Sequence, residues 1–227
     1  MNYNLDFKIN GEPIKLSESV KYLGVTLDYQ LNWNINTKDL CSKLKKANGA
    51  ISRLRQYIPR TTLIQIYYAL FFSHMNYACQ IWGQINNTNV DRVFKLQKRC
   101  LRLITFSDFH APSSELFSIL NVLKIYDVIK LQNISLVHDI LKNNCPPRVS
   151  SIFNLSYYQH DYETRGSYTS LLSRPRCRTL LYGINSITYQ SILQWNEFQQ
   201  KYFESPLIIF SHTKLKSSFY VLIMSQY

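Results

Sequence analysis

The sequence predicts a mostly α-helical protein that opens on a small β element. Three observations carry that prediction. Only 6 Gly and 7 Pro are spread over 227 residues, so few helix breakers interrupt the chain. Leu40, Leu44, Ala47, Ile51, Leu54 and Ile58 stand at intervals of 4-3-4-3-4, which puts all six on one face of a helix. Near the start the apolar period shortens to two, as at Leu5, Phe7 and Ile9, the period of a strand.

The elements follow in order. Asn10-Gly11-Glu12 lies between alternating apolar residues, with Ile14 and Leu16 resuming the pattern, and predicts a hairpin turn. Lys21-Tyr22-Leu23-Gly24-Val25-Thr26-Leu27-Asp28 alternates in the same way and reads as a further strand. This is too little sheet to stand alone. A polar bridge with Leu31 and Trp33 leads into a basic helix over about 36–57, ended by Pro59. A second helix over about 61–76, capped by Thr61 or Thr62, buries Leu63, Ile66, Tyr67, Leu70 and Phe71. A third over 89–104, with Asn89 as cap, has Val90, Val93, Phe94, Gln97, Leu101 and Ile104 inside. Ser113 or Ser114 caps a short helix over Leu116, Ile119, Leu120 and Leu123, and Asp127 caps another across Val128, Leu131, Ile134, His138 and Leu141. Cys145-Pro146-Pro147 breaks the pattern, and residues 148–182 show no period. Two last helices, about 187–203 and 206–224, pack through Ile192, Trp195, Phe198 and Tyr202, and through Leu207, Phe210, Phe219 and Leu222. Pro206 suits the first turn of the second.

Charge points to a partner. The net charge is +12, and residues 38–102 hold 12 Lys/Arg against Asp39 and Asp91 alone. A helical segment this basic attracts a polyanion, above all nucleic acid; the alternative is a solvated face that aids solubility. The candidate phosphate-binding residues are Lys43, Lys45, Lys46, Arg53 and Arg55 on the first helix, then Lys95, Lys98, Arg99 and Arg102 on the third. Arg165, Arg174, Arg176 and Arg178 interleave with Tyr157, Tyr158, Tyr162 and Tyr168. They suit a single-strand surface by charge and stacking, or a linker with scattered charge.

Other chemistry finds no motif. The first ten residues lack an apolar signal core. The most apolar stretch, Leu207 to Met224, is broken by His212, Lys214 and Lys216, so no membrane partner is expected and the protein is expected to be intracellular. Cysteines at 41, 79, 100, 145 and 177 and histidines at 74, 110, 138, 160 and 212 have no metal-ligand spacing. There is no phosphate-cradling glycine loop and no adjacent pair of acidic residues. No catalytic or metal-ligating residue is assigned, and no cofactor is expected in this chain.

Several runs, taken in order, match one family. Tyr22-Leu23-Gly24-Val25, then Leu27-Asp28, Leu31 and Trp33, resembles the junction of palm and thumb in reverse transcriptases of non-LTR (LINE, jockey-like) retrotransposons. The next two helices, closing on Tyr77-Ala78-Cys79-Gln80-Ile81-Trp82-Gly83, look like the thumb. The resemblance continues through Leu96-Gln97-Lys98-Arg99-Cys100-Leu101-Arg102-Leu103-Ile104, Gly183, Tyr189, Trp195-Asn196 and Lys214-Leu215-Lys216. It implies terminal palm strands over 1–34, a thumb-like helical pair over 35–83, a helical continuation over 84–145, a loop or linker over 146–186 and C-terminal helices over 187–227. The full-length family uses magnesium on palm carboxylates, typically an adjacent Asp-Asp that lies several tens of residues before the Tyr-Leu-Gly-Val strand. Here that strand already starts at Lys21. The expectation is therefore a reverse-transcriptase fragment, inactive alone, that grips template–primer or element RNA through phosphates. Its implied partners are an RNA or RNA–DNA hybrid duplex and the upstream polymerase half. Asp28 reads as a strand-end residue. A helical protein-interaction module and a truncated copy without function are the alternatives.

Overall fold

The computed structural model of the protein describes residues 7–13, 17–84, 87–153, 171–202 and 210–227. Most of them are helical, and the strands form two small antiparallel hairpins near the N-terminus. In the first, β1 (Lys8–Ile9) pairs with β2 (Glu12–Pro13). Asn10 and Gly11 make the turn at φ 51° and 86°, the left-handed pair that a two-residue hairpin loop needs. Leu5, Ile14 and Leu16 lie outside the described residues.

The second hairpin corrects the reading of Lys21–Asp28 as one strand. β3 (Ser19–Tyr22) and β4 (Val25–Asp28) pair with Tyr22 opposite Val25, and Leu23-Gly24 is the turn. Both turn residues have positive φ, 46° and 82°. Leucine rarely occupies that region, so nothing in the alternation signals a turn there. Asp28 then organises the bridge to the helices. Its carboxylate accepts from the backbone N–H of Gln30, Asn32 and Trp33 at 2.9–3.2 Å.

Helix α1 (Asn34–Leu54) buries Leu40, Leu44, Ala47 and Ile51. It stops at Leu54, short of the predicted end, and leaves Leu54 37% exposed. After Pro59 runs one continuous helical rod: α2 (Arg60–Ile66), a π turn (Tyr67–Phe72) and α3 (Ser73–Asn76). Pro59, and neither Thr61 nor Thr62, occupies the cap position. Leu63, Tyr67, Phe71 and Met75 face the core, whereas Leu70 is 43% exposed. A uniform spacing of four drifts by about 40° per step on a regular helix, and the wider i→i+5 turn brings these residues back into line.

Ala78, at φ 51°, turns the chain into α4 (Cys79–Trp82). Gly83 follows where an added Cβ would lie 2.5 Å from the backbone oxygen of Cys79 and 2.6 Å from Ile129 Cδ1, so only glycine fits. Helix α5 (Asn87–Thr105) runs parallel to α1, since Asn89 Nδ2 donates to Asn32 O and Asn48 Nδ2 to Leu96 O. Asn89 is buried in the helix, two residues beyond its start, and is not the cap. Helix α6 (Ser114–Leu120) leaves Ile119 outside, and α7 (Ile125–Leu141) begins two residues before Asp127. Within the stretch that reads as loop, α8 (Pro147–Ile152) forms and Leu171 and Leu172 are buried. Tyr157, Tyr158, Tyr162, Arg165 and Tyr168 lie outside the described residues, as do Pro206 and Leu207. Helix α9 (Ile187–Tyr202) packs along α7, and α10 (His212–Met224) is capped by Ser211, whose hydroxyl accepts from Lys214 N. One connected set of buried side chains runs from Trp33 to Ile223.

Two polar residues explain conspicuous sequence runs. Gln97 is fully buried; Nε2 donates to Tyr67 Oη and Leu123 O, and Oε1 accepts from Ile125 N. Asn196, beside buried Trp195, clamps Leu172 by both backbone groups, at 2.9 and 2.7 Å. The Trp195-Asn196 pair thus anchors the segment before α9.

Candidate nucleic-acid interface

The nine candidate cations occupy three settings. Lys45 and Arg53 project from α1 toward α5. Lys95 and Arg99 project from α5 toward α1. The parallel helices therefore enclose a groove with basic residues on both walls. Lys38 and Arg92 belong to it as well, although charge counting alone does not single them out. Their spacing is a readable signal: Lys38 and Lys45 stand seven apart, and Arg92, Lys95 and Arg99 follow a 3-4 interval, each a single helix face. Ile35, Cys41 and Leu96 form an apolar floor in the upper half of the groove, which encloses about 620 Å³. Burial pushes the Cys41 thiol up, while Lys45 and Arg92 pull it down.

Lys43 and Lys46 lie on the other flank of α1. They line a cleft of about 300 Å³ with Lys21, Thr26, Asp39, His74 and Tyr77. Its wall is the second hairpin, held in place by Tyr77 Oη donating to Leu23 O at 2.6 Å. The cations of the first helix therefore form not one cluster but two rows astride it. Residues 43 and 45 are about 200° apart around the axis, which separates them.

The third setting removes three residues from the open groove. Arg55 caps α1 and lies over the Phe106 ring at 4.9 Å. Lys98 lies over Phe94 at 4.7 Å. Arg102 is half-buried and donates from Nε to Ala111 O. These three cations hold structure together, through ring faces, packed stems and a backbone carbonyl. None of the groove residues Lys38, Lys45, Arg53, Arg92, Lys95 and Arg99 has a carboxylate within 4 Å among the described residues.

The described residues do not suit a magnesium site. Among the described residues, no group of three or more His, Cys, Asp or Glu side chains could hold a metal ion. Asp28 commits its carboxylate to three backbone amides. No helix among the described residues is long and apolar enough to cross a membrane.

Comparison with known proteins agrees with the motifs. No family model and no solved structure matches the chain. It is 26% identical over 147 residues to the probable RNA-directed DNA polymerase from transposon X-element of Drosophila melanogaster, a match over 63% of this chain and 16% of that protein. It is also 26% identical over 132 residues to the RNA-directed DNA polymerase from mobile element jockey of the same organism, over 56% of this chain and 14% of that protein. The chain thus spans less than a fifth of the length of these curated relatives. Over that span it is similar in sequence to RNA-directed DNA polymerases of non-LTR retrotransposons, the family its motifs resemble.

Proposed function

We propose that α1 is the duplex-gripping helix of a reverse-transcriptase thumb and holds an RNA–DNA hybrid by its phosphates. The observation that carries this reading is the pair of basic rows astride the helix. Lys38, Lys45 and Arg53 stand on one flank, and Lys43 and Lys46 on the other. A helix with cations on both flanks can lie along a wide, shallow groove and meet a phosphate strand on each side. Such contacts fix position without reading sequence, which suits a part that must accept any template. Catalytic carboxylates and magnesium would be supplied by the palm of such a polymerase, the second partner on this reading.

The test is titration of a labelled RNA–DNA hybrid at several salt concentrations. Lys45→Glu/Arg53→Glu and Lys43→Glu/Lys46→Glu should each weaken binding. Each should also flatten the salt dependence, by about one unit of slope for every phosphate that is no longer neutralised. If the wild-type protein binds no hybrid at low salt, or if folded variants of both rows bind as it does, α1 is not the grip.

A second reading is favoured by a different feature. Phe7, Ile9, Val20, Tyr22 and Leu23 of the two hairpins are all more than half exposed. An apolar surface of this kind suits a protein neighbour, as in a helical interaction module. Association that persists at high salt would support it over the nucleic-acid reading.

A further inference from the structure

The far end of the groove between α1 and α5 is lined by Ser52, Arg53, Arg99 and Leu103. Three residues beyond Leu103 the chain enters a loop that displays aromatic rings. Phe106 and Phe109 of this loop are 57% and 66% exposed. Tyr57, two residues past the α1 cap, is 81% exposed. Arg55 joins the two helix ends by lying over Phe106, and Arg102 ties the loop to α5 through Ala111 O. Asp108, the loop's acidic residue, accepts from His110 N.

The backbone at Phe106 is unusual for its residue type. Phe106 has φ 58° directly after α5, and Ser107 N donates to Arg102 O across it. This is a helix end closed by a left-handed residue, a position that favours Gly or Asn. The same i→i−5 bond closes α6 at Asn121, with Val122 N to Phe117 O, and α7 at Asn143, with Asn144 N to Asp139 O. Both of those ends use asparagine. The third carries a bulky ring that stays more than half exposed there. A strained bulky residue of this kind destabilises the fold and concentrates at functional sites.

We propose that Phe106 and Phe109 form a stacking platform for an unpaired nucleic-acid strand whose phosphates run in the basic groove. This rests on the reading of the α1–α5 body as a phosphate-binding surface, and adds a single-stranded ligand to it. A duplex backbone presents phosphate and sugar and has no use for exposed rings. A single strand combines a charged backbone with flat base faces, and a cationic groove with aromatic rings meets both. Arg55, already over Phe106, adds cation–π character to the same surface. Because every base has a flat face, the platform is expected to tolerate any sequence.

The decisive variant is Phe106→Gly, combined with Phe109→Ala. Glycine accepts the left-handed backbone, so Phe106→Gly should keep or raise the melting temperature. The double variant should lower affinity for a labelled single-stranded oligonucleotide at least about fivefold, with the salt slope unchanged and hybrid-duplex affinity unchanged. RNA and DNA oligonucleotides of one sequence, run side by side, show which strand is held more tightly, and the loss should appear for whichever binds. Phe106→Trp should restore the affinity. Unchanged single-strand affinity in the double variant overturns the platform, and so does an equal loss for duplex and single strand. Loss of a salt-insensitive protein association instead would assign the rings to a protein contact and overturn it too. If the wild type holds single strands but not the hybrid, the platform stands and the duplex grip falls.

Discussion

Single buried amides hold this molecule together at points where an apolar residue would be expected. Gln97 satisfies three groups on two other segments: Tyr67 in the π turn, and Leu123 and Ile125 either side of the start of α7. Gln97→Leu keeps the volume close but leaves a hydroxyl, a carbonyl and an amide unpaired in the core. Each orphan costs about 1–3 kcal/mol, so a total loss of at least about 3 kcal/mol is expected, read as a lower urea midpoint at constant slope. A loss under about 1 kcal/mol would mean that water reaches these groups. The sequence marks Gln97 as an inner-stripe position by its spacing, and the structure places it there. Its partners are not legible, because they lie 26 to 30 residues away and spacing along one helix carries no information about them. Asn196 is the same case: the motif is visible, but its partner Leu172 sits in a segment with no period. The cations divide likewise, since counting them locates the basic helices whereas only the packing of α5 against α1 decides which face a shared groove.

At the level of the element, the rod from Arg60 to Asn76 makes the strongest prediction. Its core residues Leu63, Tyr67, Phe71 and Met75 are spaced 4-4-4, and the π turn absorbs the drift. Deleting exposed Leu70 converts the spacing to 4-3-4, which a regular α-helix keeps on one face. That deletion should therefore be tolerated, with a cooperative melt and a modest drop in midpoint. Deleting Ala50 from the regular α1 is the control. It rotates Ile51 by about 100° out of the core and should abolish cooperative unfolding. Equal damage from both deletions would show that the π turn is not the register device. This also explains where the sequence misleads: the 4-3 rule places Leu70 inside, whereas the uniform 4-4-4 spacing is the sign of the wider turn. The Leu23-Gly24 turn is hidden for a related reason, since alternation survives across a two-residue loop.

At the level of the whole molecule, tyrosine hydroxyls close the fold from end to end. Tyr227, the last residue, donates to Asp127 Oδ2, accepts from Lys124 N and lies under the Lys124 ammonium at 3.7 Å. Tyr220 donates to Asn121 O, and Tyr126 of α7 donates to Asp91 of α5. All three hydroxyls are held protonated. Burial, then the bond to Asp91, pushes Tyr126 up from 10.0 to about 12. Burial chiefly, with Asp127, pushes Tyr227 up further, and burial raises Tyr220 and, well above its ordinary value, Tyr67. A tyrosine that ionises near pH 10 when unfolded but higher when folded binds more protons in the native state through that window. Stability must then fall as the pH rises. The contribution is complete below about pH 10 and is lost as the pH climbs through about 12. Tyrosinate absorbance and helical circular dichroism, followed together in an alkaline titration, should change in concert above about pH 10. Tyr227→Phe should be less stable than wild type at neutral pH, yet lose less stability between about pH 10 and 12. Ionisation of these tyrosines with the helices intact would mean that α10 is held by its apolar face alone, through Leu215, Phe219 and Ile223, and that the hydroxyl bonds contribute nothing to closure.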